Sequence, residues 1–134
     1  MKRGYCDNIE RLTLGNEDFR RVLYTGGHLQ LVLMTLQPGE EIGEEVHPDR
    51  DQFFRFEEGN GVVDIDGREN PVEDDFAVIV PAGARHNVRN TGSEALRFYT
   101  LYGPPEHKDK IVQRTKEEAE ARHHAEEWDG ATTE

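Results

Sequence analysis

Turn chemistry, recurring at short intervals, constrains this chain more than any other feature. Pro38-Gly39, Asn60-Gly61, Asp66-Gly67, Pro81-Ala82-Gly83 and Asn90-Thr91-Gly92 punctuate short strand-like runs between residue 9 and about residue 103. Many short strands separated by turn residues point to an all-β sandwich or barrel. Asn-Gly and Asp-Gly tolerate the positive φ that two-residue hairpin turns require, so Asn60-Gly61 and Asp66-Gly67 are each expected to close a hairpin. The clearest strand runs from His28 to Leu36, with Leu29, Leu31, Leu33 and Thr35 on one face and Gln30, Val32, Met34 and Leu36 on the other. Both faces are largely apolar, as for a strand with neighbours on each side. The Ile9–Leu14 run reads as a further strand that needs a sheet edge to join, on this chain or on a partner.

At 134 residues the chain suits one domain. The barrel, with its N-terminal strands, is expected over 1–103 and a C-terminal extension over 104–134. After Pro104-Pro105 the character changes: Thr115 and Glu118 match a capping box, and Glu, Ala, Lys and Arg dominate a helix expected over about 115–128. Its apolar stripe is thin, Ala119, Ala125 and Trp128, and the last six residues read as disordered.

The 28 Asp and Glu against 16 Lys and Arg give a net charge of −12. Such a surface repels phosphate backbones and anionic lipid, which argues against nucleic acid and membrane partners. The start of the chain has basic Lys2 and Arg3, but Asp7, Asn8, Glu10 and Arg11 stand where a leader's apolar run belongs, so a cytoplasmic protein is expected. Cys6 is the single cysteine and excludes an intrachain disulfide or a cysteine-based metal site.

Chemistry concentrates elsewhere. Glu45 and His47 are two apart, a spacing that puts both side chains on one face of a strand, within reach of one ion. Gln52 lies at an odd offset, but Pro48-Asp49-Arg50-Asp51 is a plausible turn that returns it to the same interior. His86 follows the turn at Pro81-Ala82-Gly83. Four candidate ligands therefore come from three strand segments. Gly39 leads by five residues to Glu45-Val46-His47, by four more to Gln52, and by six more to Gly59. Asp75 leads by five residues to Pro81-Ala82-Gly83, by two to His86, and by three to Asn90.

These two blocks resemble the paired motifs of the cupin superfamily. Glu45 stands where the first motif usually has His, Gln52 where it has Glu, and Asp75 where the second has Gly. More closely, Gly43-Glu44-Glu45-Val46-His47-Pro48, Asp51-Gln52-Phe53-Phe54 and Pro104-Pro105-Glu106-His107 are similar to small bacterial cupins of the mannose-6-phosphate-isomerase-like kind. The resemblance implies a double-stranded β-helix, the jelly-roll cupin barrel, with a short C-terminal helix. It further implies one divalent metal ion on Glu45, His47, Gln52 and His86. Two imidazoles, one carboxylate and one amide oxygen admit Mn, Fe, Co, Ni or Zn.

Alternation places Phe54 and Phe56 on the Gln52 side and Val88 on the His86 side; Gln30, Met34 and Tyr102 are further candidates to line a pocket for a small-molecule ligand. His107 is a candidate through a fold-back of its segment. Arg85 and Arg89, beside His86, are either outward-facing or aimed at an anionic substrate. His28 is expected at the surface. His123 with Glu127 and Glu120 with His124 read as an ion-paired helix face rather than a metal site. No catalytic acid–base pair stands out. The expected function is a metal-dependent enzyme on a small metabolite, of isomerase, epimerase, decarboxylase or dioxygenase type. The alternatives are a non-catalytic binder or sensor and a purely structural metal. A homodimer is expected on a defined apolar patch.

Overall fold

In the computed structural model, which describes residues 1–134, ten strands form two antiparallel sheets. The larger runs in the order β10 (Val112–Gln113), β1 (Arg20–Thr25), β2 (Gln30–Leu36), β9 (Leu96–Gly103), β4 (Asp51–Glu58) and β7 (Ala77–Val80). The smaller runs β3 (Glu45–Val46), β8 (Arg85–Asn90), β5 (Gly61–Ile65) and β6 (Arg68–Val72). Alternate residues of both sheets meet in one core: Val32, Met34, Phe54, Phe56 and Phe98 from the larger, Val63, Val72 and Val88 from the smaller. Each buried side chain of this size contributes roughly 1.5–3 kcal/mol. This is the sandwich the turn spacing implied, in the jelly-roll form that the cupin resemblance implied.

The two glycine turns behave differently. Asp66-Gly67, at φ +46° and +81°, closes the β5–β6 hairpin, with Ile65 opposite Arg68. Asn60-Gly61 does not close a hairpin, because β4 and β5 lie in different sheets. The chain crosses there at close quarters: a Cβ on Gly61 would stand 2.6 Å from the Arg89 carbonyl oxygen. Gly59, at φ +102°, would place a Cβ 2.6 Å from the Ala95 carbonyl oxygen.

Ile9–Leu14 is not a strand. It forms helix α1, whose first turn is capped by Asn8 Oδ1 accepting from the Arg11 amide. Thr13 is buried and donates its hydroxyl to the Ile9 carbonyl. The cap satisfies a backbone amide locally, so the segment needs no sheet edge, and α1 lies across β2, β4 and β9.

The C-terminal helix is shorter than expected. Helix α2 spans Lys116–Ala121, with Thr115 Oγ1 accepting from the Glu118 amide. Glu118 returns its carboxylate to the Arg114 amide rather than to that of Thr115. Only Ala119 of this helix is buried, so no apolar face holds a further turn. Beyond it the backbone finds other partners: the Lys108 amide donates to the Glu126 carbonyl, and the Trp128 amide to the Glu106 carbonyl.

Nor is the tail free. The Thr133 amide donates to the Thr25 carbonyl and Thr133 Oγ1 accepts from the Thr25 amide. Thr133 thereby fills the open edge of β1 beyond the two residues of β10. The Glu134 carboxylate accepts from the Gly4 amide and from the Tyr24 hydroxyl.

Candidate metal centre

The short β3 pairs with β8 so that Glu45 stands opposite His86. Two residues on from Glu45, His47 turns to the same side. The turn at Pro48-Asp49 then carries the chain to the other sheet, where Gln52 on β4 lies between Val80 and Tyr102. One ligand atom each from Glu45, His47 and His86 lies within 4.8 Å of the other two. The imidazole rings are 5.2 Å apart, and Glu45 Oε2 is 3.8 Å from His47 Nε2. His47, Gln52 and His86 are buried.

His47 Nδ1 hydrogen-bonds to Glu106 Oε2 at 2.9 Å, and His86 Nδ1 to the Ala84 carbonyl at 3.2 Å. Both acceptors fix the proton on Nδ1 and leave the Nε2 lone pair free. Gln52 Nε2 donates to Thr100 Oγ1 at 3.0 Å, and Gln52 Oε1 has no donor. His47 Nε2 and His86 Nε2 are likewise buried with no partner. An unsatisfied buried polar atom costs about 1–3 kcal/mol, so three orphaned lone pairs beside a carboxylate fit a cation site. The set has two nitrogen and two oxygen donors and no thiolate, which suits a first-row divalent ion.

The charge states follow from the same contacts. Burial opposes charge on His47, but the hydrogen bond to Glu106 and the fields of Glu45 and Glu106 outweigh it, so its pKa lies above the ordinary value. Burial, reinforced by His47, pushes His86 below it.

Glu106 belongs to a strap that sequence spacing did not mark as part of the centre. Gln30 Oε1 accepts from the amides of Glu106 and His107, and its Nε2 donates to the His107 carbonyl at 2.6 Å. Arg50 Nε donates to the Pro105 carbonyl. The fold-back brings His107 Nε2 to 3.2 Å from the Tyr102 hydroxyl, whose ring stands edge-on to His47 at 6.0 Å. Burial raises the Tyr102 pKa; burial and the nearby Arg20 charge hold His107 well below its usual range.

Of the pocket candidates, Phe54 and Tyr102 present ring edges toward His86 and His47. Gln30 holds the strap, and Met34, Phe56 and Val88 lie in the packed core. Two clefts open on Glu45. One of about 330 Å³ runs between Phe19, Arg20 and α2; the other, of about 310 Å³, passes His47, Arg50 and Glu106. His123 borders both.

Arg85 and Arg89 face outward, paired with Glu44 and with Asp64 and Glu69. His28 is exposed. His123 lies 3.7 Å from Glu127, as expected, but His124 also turns to Glu127. Its expected pairing with Glu120 is lost because α2 ends at Ala121 and Glu120 instead meets Lys116. His123, His124 and Glu127 are all exposed, with one ligand atom of each within 4.8 Å of the others. No helix is long and apolar enough to cross a membrane.

Residues 32–102 match the family model described as Cupin domain. YrkC of Bacillus subtilis (strain 168) is 46% identical over 120 residues, covering 85% of this chain. Polyketide synthase CurC of Streptomyces cyaneus is 38% identical over 80 residues, 60% of this chain. The chain spans only 64% of the length of YrkC and 51% of that of CurC. The crystal structure of BH2720 from Bacillus halodurans superimposes with a TM-score of 0.86 at 48% identity, over 89% of this chain and 95% of that one.

Proposed function

We propose that this chain, which belongs to the cupin family, is a metal-dependent enzyme acting on a small metabolite, with one divalent ion on Glu45, His47, Gln52 and His86. The observation that carries this reading is the set of three buried lone pairs without donors, on His47, His86 and Gln52, beside the Glu45 carboxylate. A bound ion would act as a Lewis acid toward an oxygen of a ligand in the adjoining cleft. Glu106 and the Ala84 carbonyl hold the two imidazoles in the tautomer that ligation needs. The 3.2 Å contact of the Tyr102 hydroxyl with His107 Nε2 packs the strap against the His47 ring.

The same proposal includes a cytoplasmic homodimer and kinship with the mannose-6-phosphate-isomerase-like cupins. Leu31, Leu101, Phe53 and Ile79 stand opposite one another across β2, β9, β4 and β7, and Ile79 is 66% exposed. An apolar row on a chain of charge −12 supports a second copy as its cover.

Metal analysis after dialysis against a weak chelator tests the reading. One ion per chain in the wild type, lost in His47→Ala and His86→Ala, is expected. A wild type that retains no divalent ion refutes it; a loaded protein that retains a small ligand without turning it over leaves a binder.

A further inference from the structure

We infer that Arg20 forms a recognition site for a ligand carboxylate in the cleft beside the metal centre. The inference deepens the proposed function by naming the substrate class, a small carboxylate. Arg20 stands opposite Met34 in the β1–β2 pairing, and Met34 is a core residue, so the Arg20 side chain points into the barrel. It is 7% exposed. A guanidinium keeps its charge under all physiological conditions, and a buried charge is normally matched by an opposite one. Arg20 has no carboxylate partner. Its Nη1 donates to Gln113 Oε1 at 2.7 Å, and its Nε, fully buried, has no acceptor. The carboxylate of Glu126 is one side chain removed, bonded to Gln113 Nε2.

Charge matching around the 330 Å³ cleft singles Arg20 out. Glu44 is taken by Arg85, Glu120 and Lys116 take each other, and His123 and His124 share Glu127. Glu45 is committed to the metal centre. One buried cation without a carboxylate partner therefore lines a cavity of small-metabolite size whose wall also includes Glu45. A planar carboxylate matches one planar guanidinium in charge and in geometry. A phosphate dianion would leave surplus negative charge beside Glu45 and Glu106. The stacking of Arg20 on the Phe19 ring, 5.2 Å to the centroid, holds the guanidinium plane without occupying its donor edge.

The test is calorimetric titration of wild type, Arg20→Lys and Arg20→Met, each metal-loaded and metal-stripped. The probes are pyruvate, malonate, the uncharged ester methyl pyruvate, and inorganic phosphate. A carboxylate is expected to bind the wild type, stripped protein included, with the ester at least about tenfold weaker. Both variants should keep wild-type metal content and lose about tenfold to a hundredfold in carboxylate affinity. Equal binding of acid and ester by stripped wild type, unchanged affinity in Arg20→Met, preference for phosphate, or no carboxylate binding overturns the inference. Should a variant fail to fold, the acid–ester comparison on stripped wild type still decides. A wild type that holds no metal but binds pyruvate in an Arg20-dependent way overturns the metal reading and leaves this site standing.

Discussion

Glu106→Gln isolates the link between the strap and the metal centre, since it preserves shape and removes one charge. Glu106 Oε2 lies 2.9 Å from His47 Nδ1, and its side chain is 22% exposed, so the contact is a partly screened, charge-assisted hydrogen bond. Such bonds are worth about 1.5–3 kcal/mol, and losing an outer-shell carboxylate behind a ligating imidazole typically lowers metal affinity about tenfold to a hundredfold. The two ranges agree, since a hundredfold is about 2.7 kcal/mol. The pH dependence sharpens the expectation. In the metal-free protein the His47 pKa lies above its ordinary 6.5, because the Glu106 bond and the Glu45 and Glu106 fields outweigh burial. Metal requires the neutral ring, so protons compete below that pKa, and wild-type affinity climbs with pH until it is passed. Without the Glu106 charge, burial weighs more and the His47 pKa falls, so the variant levels off at lower pH. The deficit should therefore be largest near pH 8 and shrink on acidification. The assay is chelator competition at a series of pH values. Wild-type affinity in Glu106→Gln at pH 8, with the same levelling point, would refute the reasoning.

Three further outcomes are expected. Glu45→Ala should lose more metal than Gln52→Ala in dialysis against a weak chelator, because Glu45 supplies the only anionic donor of the four and its field is only partly screened there. Removal of residues 116–134 should lower both the thermal midpoint and metal affinity, since it strips the Glu126 and Trp128 backbone bonds from the strap and the Ala119 side chain from the core. Gly59→Ala should cost about 2–4 kcal/mol in urea unfolding, against about 1 kcal/mol for Gly67→Ala, because both have positive φ but only Gly59 would also press a Cβ on backbone.

The barrel was legible because turn chemistry and alternation are local. Asp66-Gly67 states its own hairpin, and Val32, Met34 and Leu36 declare one face of β2. Asn60-Gly61 misled because the same dipeptide tolerates positive φ whether its flanking strands pair or part. Choosing between them requires knowing which sheet each strand joins. Ile9–Leu14 misled because a six-residue segment with three apolar residues lacks the length to separate the two periods, and the Asn8 cap decided the matter. The C-terminal helix was overextended because composition rewards Glu, Ala and Arg throughout, whereas only the turn around Ala119 has a core to rest on.

The centre divides along the same line. Glu45, His47, Gln52 and His86 were marked by spacing within two short blocks, each running from one strand through a turn into the next. Glu106 and Arg20 carry no such mark, and their roles arise from contacts between distant parts of the chain. Glu106 reaches His47 from a strap whose backbone is bound by Gln30, 76 residues earlier, and by Trp128. Arg20 is the harder case. Arg20-Arg21 begins β1 as two adjacent arginines, and strand alternation requires one to face inward while leaving open which. Pairing with β2 settles it by one residue of register: Arg20 falls opposite Met34 and Arg21 opposite Leu33. Slipped by one, the exposed arginine and the buried one would exchange places, and the cleft beside Glu45 would face Arg21 instead. The charge inside this barrel is therefore a property of register, which short-range pattern cannot supply.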